Sequence, residues 1–254
     1  MAYKPISPQG KKFITNTINK DSKLFTGSKL KYSKQQYFDL LILWIEKYSK
    51  LYDLDANILS AQIHQESKFR PGAYNKIKAT GNINAMGITQ FLLITVNDVL
   101  LGRFKNEFTS TETDLIIDKI TLNSKGFIPS AKRPQLLENI ANNPEIMIKA
   151  QAVYMKKAIA DRIKSDLASV CLYCYNRGPG FIQETYGDTI VKYLSKNLDP
   201  KIQKQPITDP ATYRTPPTEG TDYVKKIFDL LKSYFGYTDL DNTIDYDKLG
   251  FGNK

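Results

Sequence analysis

The stretch Asp55-Ala56-Asn57-Ile58-Leu59-Ser60-Ala61-Gln62-Ile63-His64-Gln65-Glu66-Ser67-Lys68-Phe69-Arg70-Pro71-Gly72 decides the fold. Asp55 has the side chain of a helix N-cap, and Pro71-Gly72 closes the pattern. Between them Leu59, Ile63 and Glu66 fall on one stripe at helical spacing, which predicts a helix whose last turn carries an inward-facing Glu66. A carboxyl on an apolar stripe is desolvated, and desolvation disfavours its charged form. A general acid that cleaves a glycosidic bond near neutral pH needs that property. The stripe alone is more readily a glutamate turned to solvent or paired with a lysine at a helix end, and nothing in the spacing proves catalysis.

Working outward, Ser33-Lys34-Gln35-Gln36 has the form of a capping box, and Phe38, Leu41, Ile42, Ile45 and Tyr48 follow at helical spacing. Residues 1–32 carry Lys4, Lys11, Lys12, Lys20, Lys23, Lys29 and Lys31 without a convincing period, which predicts a loose basic N-terminal arm. Downstream, residues 72–90 are rich in Gly and Asn and read as loop and turn, followed by a short helix over Gln90 to Leu101. The stretch 102–142 is mixed and is broken by Gly126 and Pro129. Asn143-Pro144-Glu145 predicts a helix start with Asn143 as cap, and Ile146, Ala150, Val153, Tyr154 and Ala158 supply its face. Ala168, Cys171, Leu172 and Tyr175 form another stripe, stopped by Gly178-Pro179-Gly180.

Five prolines in residues 199–220 predict a long irregular loop. Asp222 is expected to open a last amphipathic helix with Val224, Ile227, Leu231 and Tyr234 on its face and Gly236 at its end. Residues 237–254 form an acidic tail with Asp239, Asp241, Asp245 and Asp247. No repeat and no convincing alternating strand emerge, so the expected fold class is mainly α.

The chain has 254 residues, 41% of them hydrophobic and 24% charged, which fits a globular domain with arms and excludes wholesale disorder. Its formal net charge of +10 favours anionic partners: nucleic acid, a membrane surface or an acidic cell-wall polymer. No helix-turn-helix, zinc or RNA-binding signature supports a nucleic acid. Apolar runs such as Leu40 to Ile45 are too short to span a bilayer, so no transmembrane segment is expected. Met1-Ala2-Tyr3-Lys4-Pro5 lacks the apolar core of a signal peptide. That predicts a protein that stays in the cytoplasm or leaves it by another route, such as inside a phage particle or through lysis. Cys171 and Cys174, with the single histidine His64, are too few for a four-ligand zinc site. Lying in an apolar helical pattern, the two thiols read as small buried groups ahead of a redox pair.

Five segments in order resemble the motifs of the soluble lytic transglycosylase family. Ile63-His64-Gln65-Glu66-Ser67-Lys68-Phe69-Arg70-Pro71 is similar to its glutamate-serine motif, and Ala85-Met86-Gly87-Ile88-Thr89-Gln90-Phe91 to its Gly-Leu-Met-Gln segment. Asn143-Pro144-Glu145-Ile146 and Tyr154 look like the helix before its third motif. Cys174-Tyr175-Asn176-Arg177-Gly178-Pro179-Gly180 resembles its Ala-Tyr-Asn-Ala-Gly-Pro-Gly signature, and Glu219-Gly220-Thr221-Asp222-Tyr223-Val224 its Glu-Thr-x-x-Tyr-Val segment. Each motif alone is weak or moderate; the order of all five is the signal. Asn84, Thr89 and Arg177 depart from the family pattern, which bears on fine specificity more than on the reaction.

The resemblance implies a lysozyme-like helical domain over residues 33–236, with a groove for a glycan strand and a possible insertion at 102–142 forming a lobe over that groove. It implies an enzyme that acts on peptidoglycan glycan strands and needs no cofactor or metal; the missing signal-peptide core fits a phage-encoded member, carried in the virion with tail proteins or made for lysis. Glu66 is the implied acid, with Tyr175 close to it. Ser67 and Gln90 are implied to bind substrate or shape the floor of the site, Asn176 to share the turn of Tyr175, and Tyr223 to line the groove. Most glycosidases use two carboxylates. Here no second acid is supported, Asp98, Glu184 and Asp222 being uncompelling. The resemblance implies a single-acid route that leaves a 1,6-anhydro-muramyl end. The alternatives are a lysozyme-type muramidase on the same fold and an inactive wall-binding phage structural protein.

Overall fold

The computed structural model describes residues 2–163, 168–178 and 218–237. These are mainly helical, with one small antiparallel sheet. The chain divides into two compact units, Ala2–Tyr154 and Met155 onward.

The first unit opens with α1 (Pro8–Lys20), which corrects the expectation of a loose arm. Ser7 caps it by accepting from the Gly10 amide at 3.0 Å, and Pro8 takes the first helical position, where its missing N–H costs nothing. Ile14 and Ile18 are fully buried, with Ile6 and Leu24 buried on either side. Two isoleucines one turn apart are too few to register as a period. They hold a helix here because a neighbour covers them, and tertiary packing supplies most helical stability in proteins.

That neighbour includes α2 (Lys34–Leu51), where the Ser33–Gln36 capping box forms in both directions, at 3.1 and 2.9 Å. Its buried face is Tyr37, Leu41, Trp44, Ile45 and Tyr48, with Phe38 and Ile42 half-buried at the margin. Helix α3 (Ala56–Ser67) is capped by Asp55 as expected and is enclosed from Ala56 through Ile63. It is the central rod of the unit.

The segment after α3 holds a three-stranded antiparallel sheet in the order β1 (Tyr74–Lys76), β2 (Ile83–Met86), β3 (Phe91–Leu92). Strands this short show no alternation, so the sequence displays only their turn residues. A short helix follows as predicted but begins later, as α4 (Leu93–Val96) widening into π-helical turns over Asn97–Leu101.

Residues 102–142 are built into the packing of this unit. They supply α5 (Ser110–Ile117) and α6 (Arg133–Asn142), with Ile116, Leu136 and Ile140 fully buried. The Asn139 side-chain amide donates to the Ile116 and Asp118 carbonyls, both at 2.9 Å. Helix α7 (Pro144–Val153) then places the nearly buried Lys149 ammonium against Glu112 at 2.7 Å. The Glu112 carboxyl is pushed up by burial but held below its ordinary value by hydrogen bonds from Lys149 and the Thr109 amide. Asn143 does not cap α7 with its side chain. It is also the last-turn boundary of α6, and its amide reaches back to the Asn139 carbonyl at 2.8 Å.

The second unit begins within the π-helical turns Tyr154–Ala160 and continues with α8 (Asp161–Ile163), α9 (Ala168–Arg177) and α10 (Thr218–Tyr234). Helix α9 packs on α10. Gly178, at φ +84°, ends α9 with its amide on the Cys174 carbonyl at 2.8 Å. Helix α10 starts at Thr218, so Asp222 lies exposed inside it and does not open it. Gly236, at φ +76°, follows its end as predicted. The proline-rich stretch through Pro217, Pro179-Gly180 and the tail from residue 238 lie outside the described residues. No described helix is long and apolar enough to cross a membrane.

Candidate active site around Glu66

Glu66 is the penultimate residue of α3 and is half-buried. Ser67 closes the helix with 6% of its surface exposed, and its hydroxyl donates to the Ile63 carbonyl at 3.2 Å. The next two residues, Lys68 and Phe69, adopt left-handed backbone at φ 54° and 65°. Such backbone costs a non-glycine residue roughly 1–2 kcal/mol each.

Several contacts hold this turn. The Lys68 amide donates to the His64 carbonyl at 2.8 Å and the Arg70 amide to that of Ser67 at 3.2 Å. The Phe69 ring is fully buried, and its carbonyl accepts from the Tyr37 hydroxyl at 2.8 Å. Burial drives the Tyr37 phenol well above its ordinary pKa, so it remains a donor. His64 lies edge-on to Phe13 at 4.8 Å and tilted against Phe69 at 5.5 Å. Burial, and then the charge of Lys68, lower its pKa to about 4, so the ring is neutral at pH 7.

Arg70 reaches outward to Asp21, with Nε to Oδ2 at 2.5 Å and Nη2 to Oδ1 at 3.0 Å. Burial pushes the Asp21 carboxyl up, but hydrogen bonds from Arg70 and the Lys23 amide outweigh it and hold the group below the usual carboxylate range. Gly72 then passes so close to the N-terminal segment that a Cβ on it would meet the Thr26 carbonyl at 2.3 Å.

The second motif closes on the chain just beyond the first. The Ala73 carbonyl accepts from the Gly87 amide at 2.7 Å and from the Gln90 side chain at 3.0 Å. Gln90 also donates to the Gly87 carbonyl at 2.8 Å, so its amide nitrogen is engaged in shaping the loop. Gly87 sits at φ +76°, and a Cβ there would lie 2.3 Å from the Ile140 side chain of α6. Glycine is therefore required both by conformation and by space. The helix likened to the one before the third motif joins this group through Tyr154, edge-on to Phe91 at 5.6 Å. Its Glu145 is engaged elsewhere, accepting from Lys47 and from the Tyr48 hydroxyl, both at 2.9 Å.

In the second unit the last two of the five segments meet. The Tyr175 and Tyr223 rings stack with centroids 6.4 Å apart and planes within 8°. Tyr223 is buried, Tyr175 and Asn176 are half-buried, and Asn176 Oδ1 is enclosed. Both cysteines are buried free thiols, and burial, then Cys171, raise the Cys174 pKa to about 12. That suits a packing role, because the thiolate is the reactive form. Of the other carboxylates, Asp98 faces Arg103 at 3.6 Å, Asp222 is exposed, and Glu184 lies outside the described residues.

Asp21, Phe13 and Tyr37 join this site without any local mark in the sequence. The Ser7 cap followed by Pro8 is the one local signal for α1, and nothing nearby identifies Asp21 as the partner of Arg70. No family model matches the chain, and no curated protein or solved structure does.

Proposed function

We propose that this protein is a peptidoglycan lytic transglycosylase that cleaves between N-acetylmuramic acid and N-acetylglucosamine with Glu66 as its acid. One observation carries the reading. The segment that resembles the second motif of that family closes on the Ala73 carbonyl, two residues past the end of the segment that resembles the first and carries Glu66. The stacked Tyr175–Tyr223 pair adds a second meeting of motifs distant in sequence. A lysozyme-like helical domain follows from the same reading, as do the glycan strand as substrate and a phage virion or lysis context.

In the proposed reaction Glu66 gives its proton to the bridging oxygen. The C1–O bond breaks, and the substrate's acetamido group stabilises the oxocarbenium. Glu66, now a carboxylate, takes the proton of the muramyl 6-hydroxyl, whose oxygen bonds to C1 and closes a 1,6-anhydro ring. The proton returns to Glu66, and no water is consumed. The Ser67 hydroxyl and the Gln90 amide nitrogen already serve α3 and the loop. Their part is to shape the floor, leaving Gln90 Oε1 for a sugar donor. Tyr175, Asn176 and Tyr223 offer aromatic faces and an amide suited to sugar rings and acetamido groups.

The test is mass spectrometry of muropeptides released from purified peptidoglycan by wild type and by Glu66→Gln. Anhydro-muramyl ends from the wild type alone are expected. Hydrated reducing ends would make it a muramidase and require a second carboxylate. Absence of products on walls from several bacteria would leave a non-enzymatic wall-binding protein.

A further inference from the structure

We infer that the N-terminal segment acts as a brace for the proposed acid, with Asp21 and Arg70 as a positioning pair that fixes the left-handed turn behind Glu66. The kinetic side of this inference rests on the proposed role of Glu66; the structural side does not.

The turn needs an external hold. Two consecutive non-glycine residues, Lys68 and Phe69, sit at φ 54° and 65° immediately after Ser67. Backbone of that kind persists only where surrounding structure over-determines it. Three contacts do so from one stretch of chain. Phe13 on α1 packs against His64, one turn before the end of α3. Asp21 takes both donors of the Arg70 fork, and 8% of its side chain is exposed. The Thr26-Gly27 backbone lies against Gly72 too tightly to admit a Cβ. The carboxylate is itself pinned, since Asp21 Oδ1 also accepts from the Lys23 amide at 2.8 Å and the Asp21 backbone amide closes α1 on the Ile18 carbonyl. The contacts to His64, Arg70 and Gly72 thus run along the turn from one side to the other. A planar guanidinium fork fixes orientation as well as distance, which a point charge would not.

A brace of this kind acts on where the Glu66 carboxyl points, and misplacement of a catalytic group costs rate more than binding. Asp21→Asn and Arg70→Gln are expected to fold with wild-type circular dichroism. Each should lower kcat on soluble glycan fragments about tenfold while KM stays within about twofold. The reversed pair, Asp21→Arg with Arg70→Asp, is expected to recover most of the lost kcat. Hydrogen exchange supplies the arm that needs no activity. In Asp21→Asn the Lys68 and Arg70 amides should exchange about tenfold faster, while amides of α5 remain as in wild type. Unchanged exchange at Lys68 and Arg70, or a uniform rise across the unit, would overturn the brace. So would single variants with full kcat. A wild type that releases no glycan product would refute the proposed function, and the exchange result alone would then decide the brace.

Discussion

The two ends of α3 are held in opposite ways. At its start a single left-handed step, Asp53 at φ 51°, precedes the cap, and from the cap onward donors and acceptors are matched. Asp55 caps the helix through the Asn57 amide at 2.9 Å, and the Ala56 amide donates to the Lys4 carbonyl at 2.9 Å. The Asn57 side chain exchanges hydrogen bonds with the Pro5 carbonyl and the Ser7 amide, at 2.9 and 2.8 Å. At its end the chain takes two left-handed steps without glycine, and a buried ring, a hydroxyl and a guanidinium hold them there. A helix start that only has to stay put can be made of matched donors and acceptors. A helix end that has to aim a side chain can bear strain, because the strain specifies a direction.

The sharpest way to break that contrast is at Glu66. Glu66→Gln keeps the shape of the side chain and removes its proton, so glycan cleavage is expected to fall about a thousandfold while the thermal midpoint moves little. Full activity in this variant would remove the functional meaning of the strained end. Next in size is Gly72→Ala, whose Cβ would collide with the Thr26 carbonyl and the Gly27 backbone. It should cost about 3 kcal/mol in urea unfolding, because backbone on both sides leaves little room to relax.

The pH dependence is third. The folded pKa of His64, about 4, lies below its ordinary 6.5, so between those values the unfolded chain binds the proton first. Stability contributed by the neutral ring is full above pH 6.5 and is lost as the pH falls towards 4. The loss is on the order of 2 kcal/mol once screening of a partly exposed ring is allowed for. His64→Phe should flatten that limb in denaturant titrations at pH 7 and pH 4.5, leaving a more acidic limb from Asp21 and Glu112, whose carboxyls are held low. The smallest effect is expected at the relaxed end, where Asp55→Ala should cost about 1 kcal/mol. If Asp55→Ala proved more damaging than Gly72→Ala, the contrast between the two ends would be reversed.

Much of the relaxed end is legible in the sequence, and most of the strained end is not. Caps and boxes act within three residues, so Asp55 over α3 and Ser33–Gln36 over α2 announce themselves. The capping box Thr109–Glu112 is equally local, yet it lies in a stretch without clear periodicity and has no apolar stripe behind it to give it meaning. The N-terminal helix escapes because its fully buried apolar residues are two isoleucines whose cover comes from elsewhere in the chain. Glu66 stands out as a residue type at a helical spacing. Its setting depends on Asp21, Thr26 and Tyr37, whose pairing with Arg70, Gly72 and Phe69 is fixed only by tertiary packing.

Ile140 pressing on Gly87 binds the middle stretch of the chain to the small sheet as one heritable and exchangeable block. Deleting 102–142 would strip the cover from a residue that has no side chain of its own to fill the dent. Transplanting the sheet from a protein with alanine at position 87 would drive a methyl group into Ile140. A chimera would keep this geometry only if the loop around Gly87 and helix α6 travel together, and a library that shuffles the two independently should lose folded members at that junction.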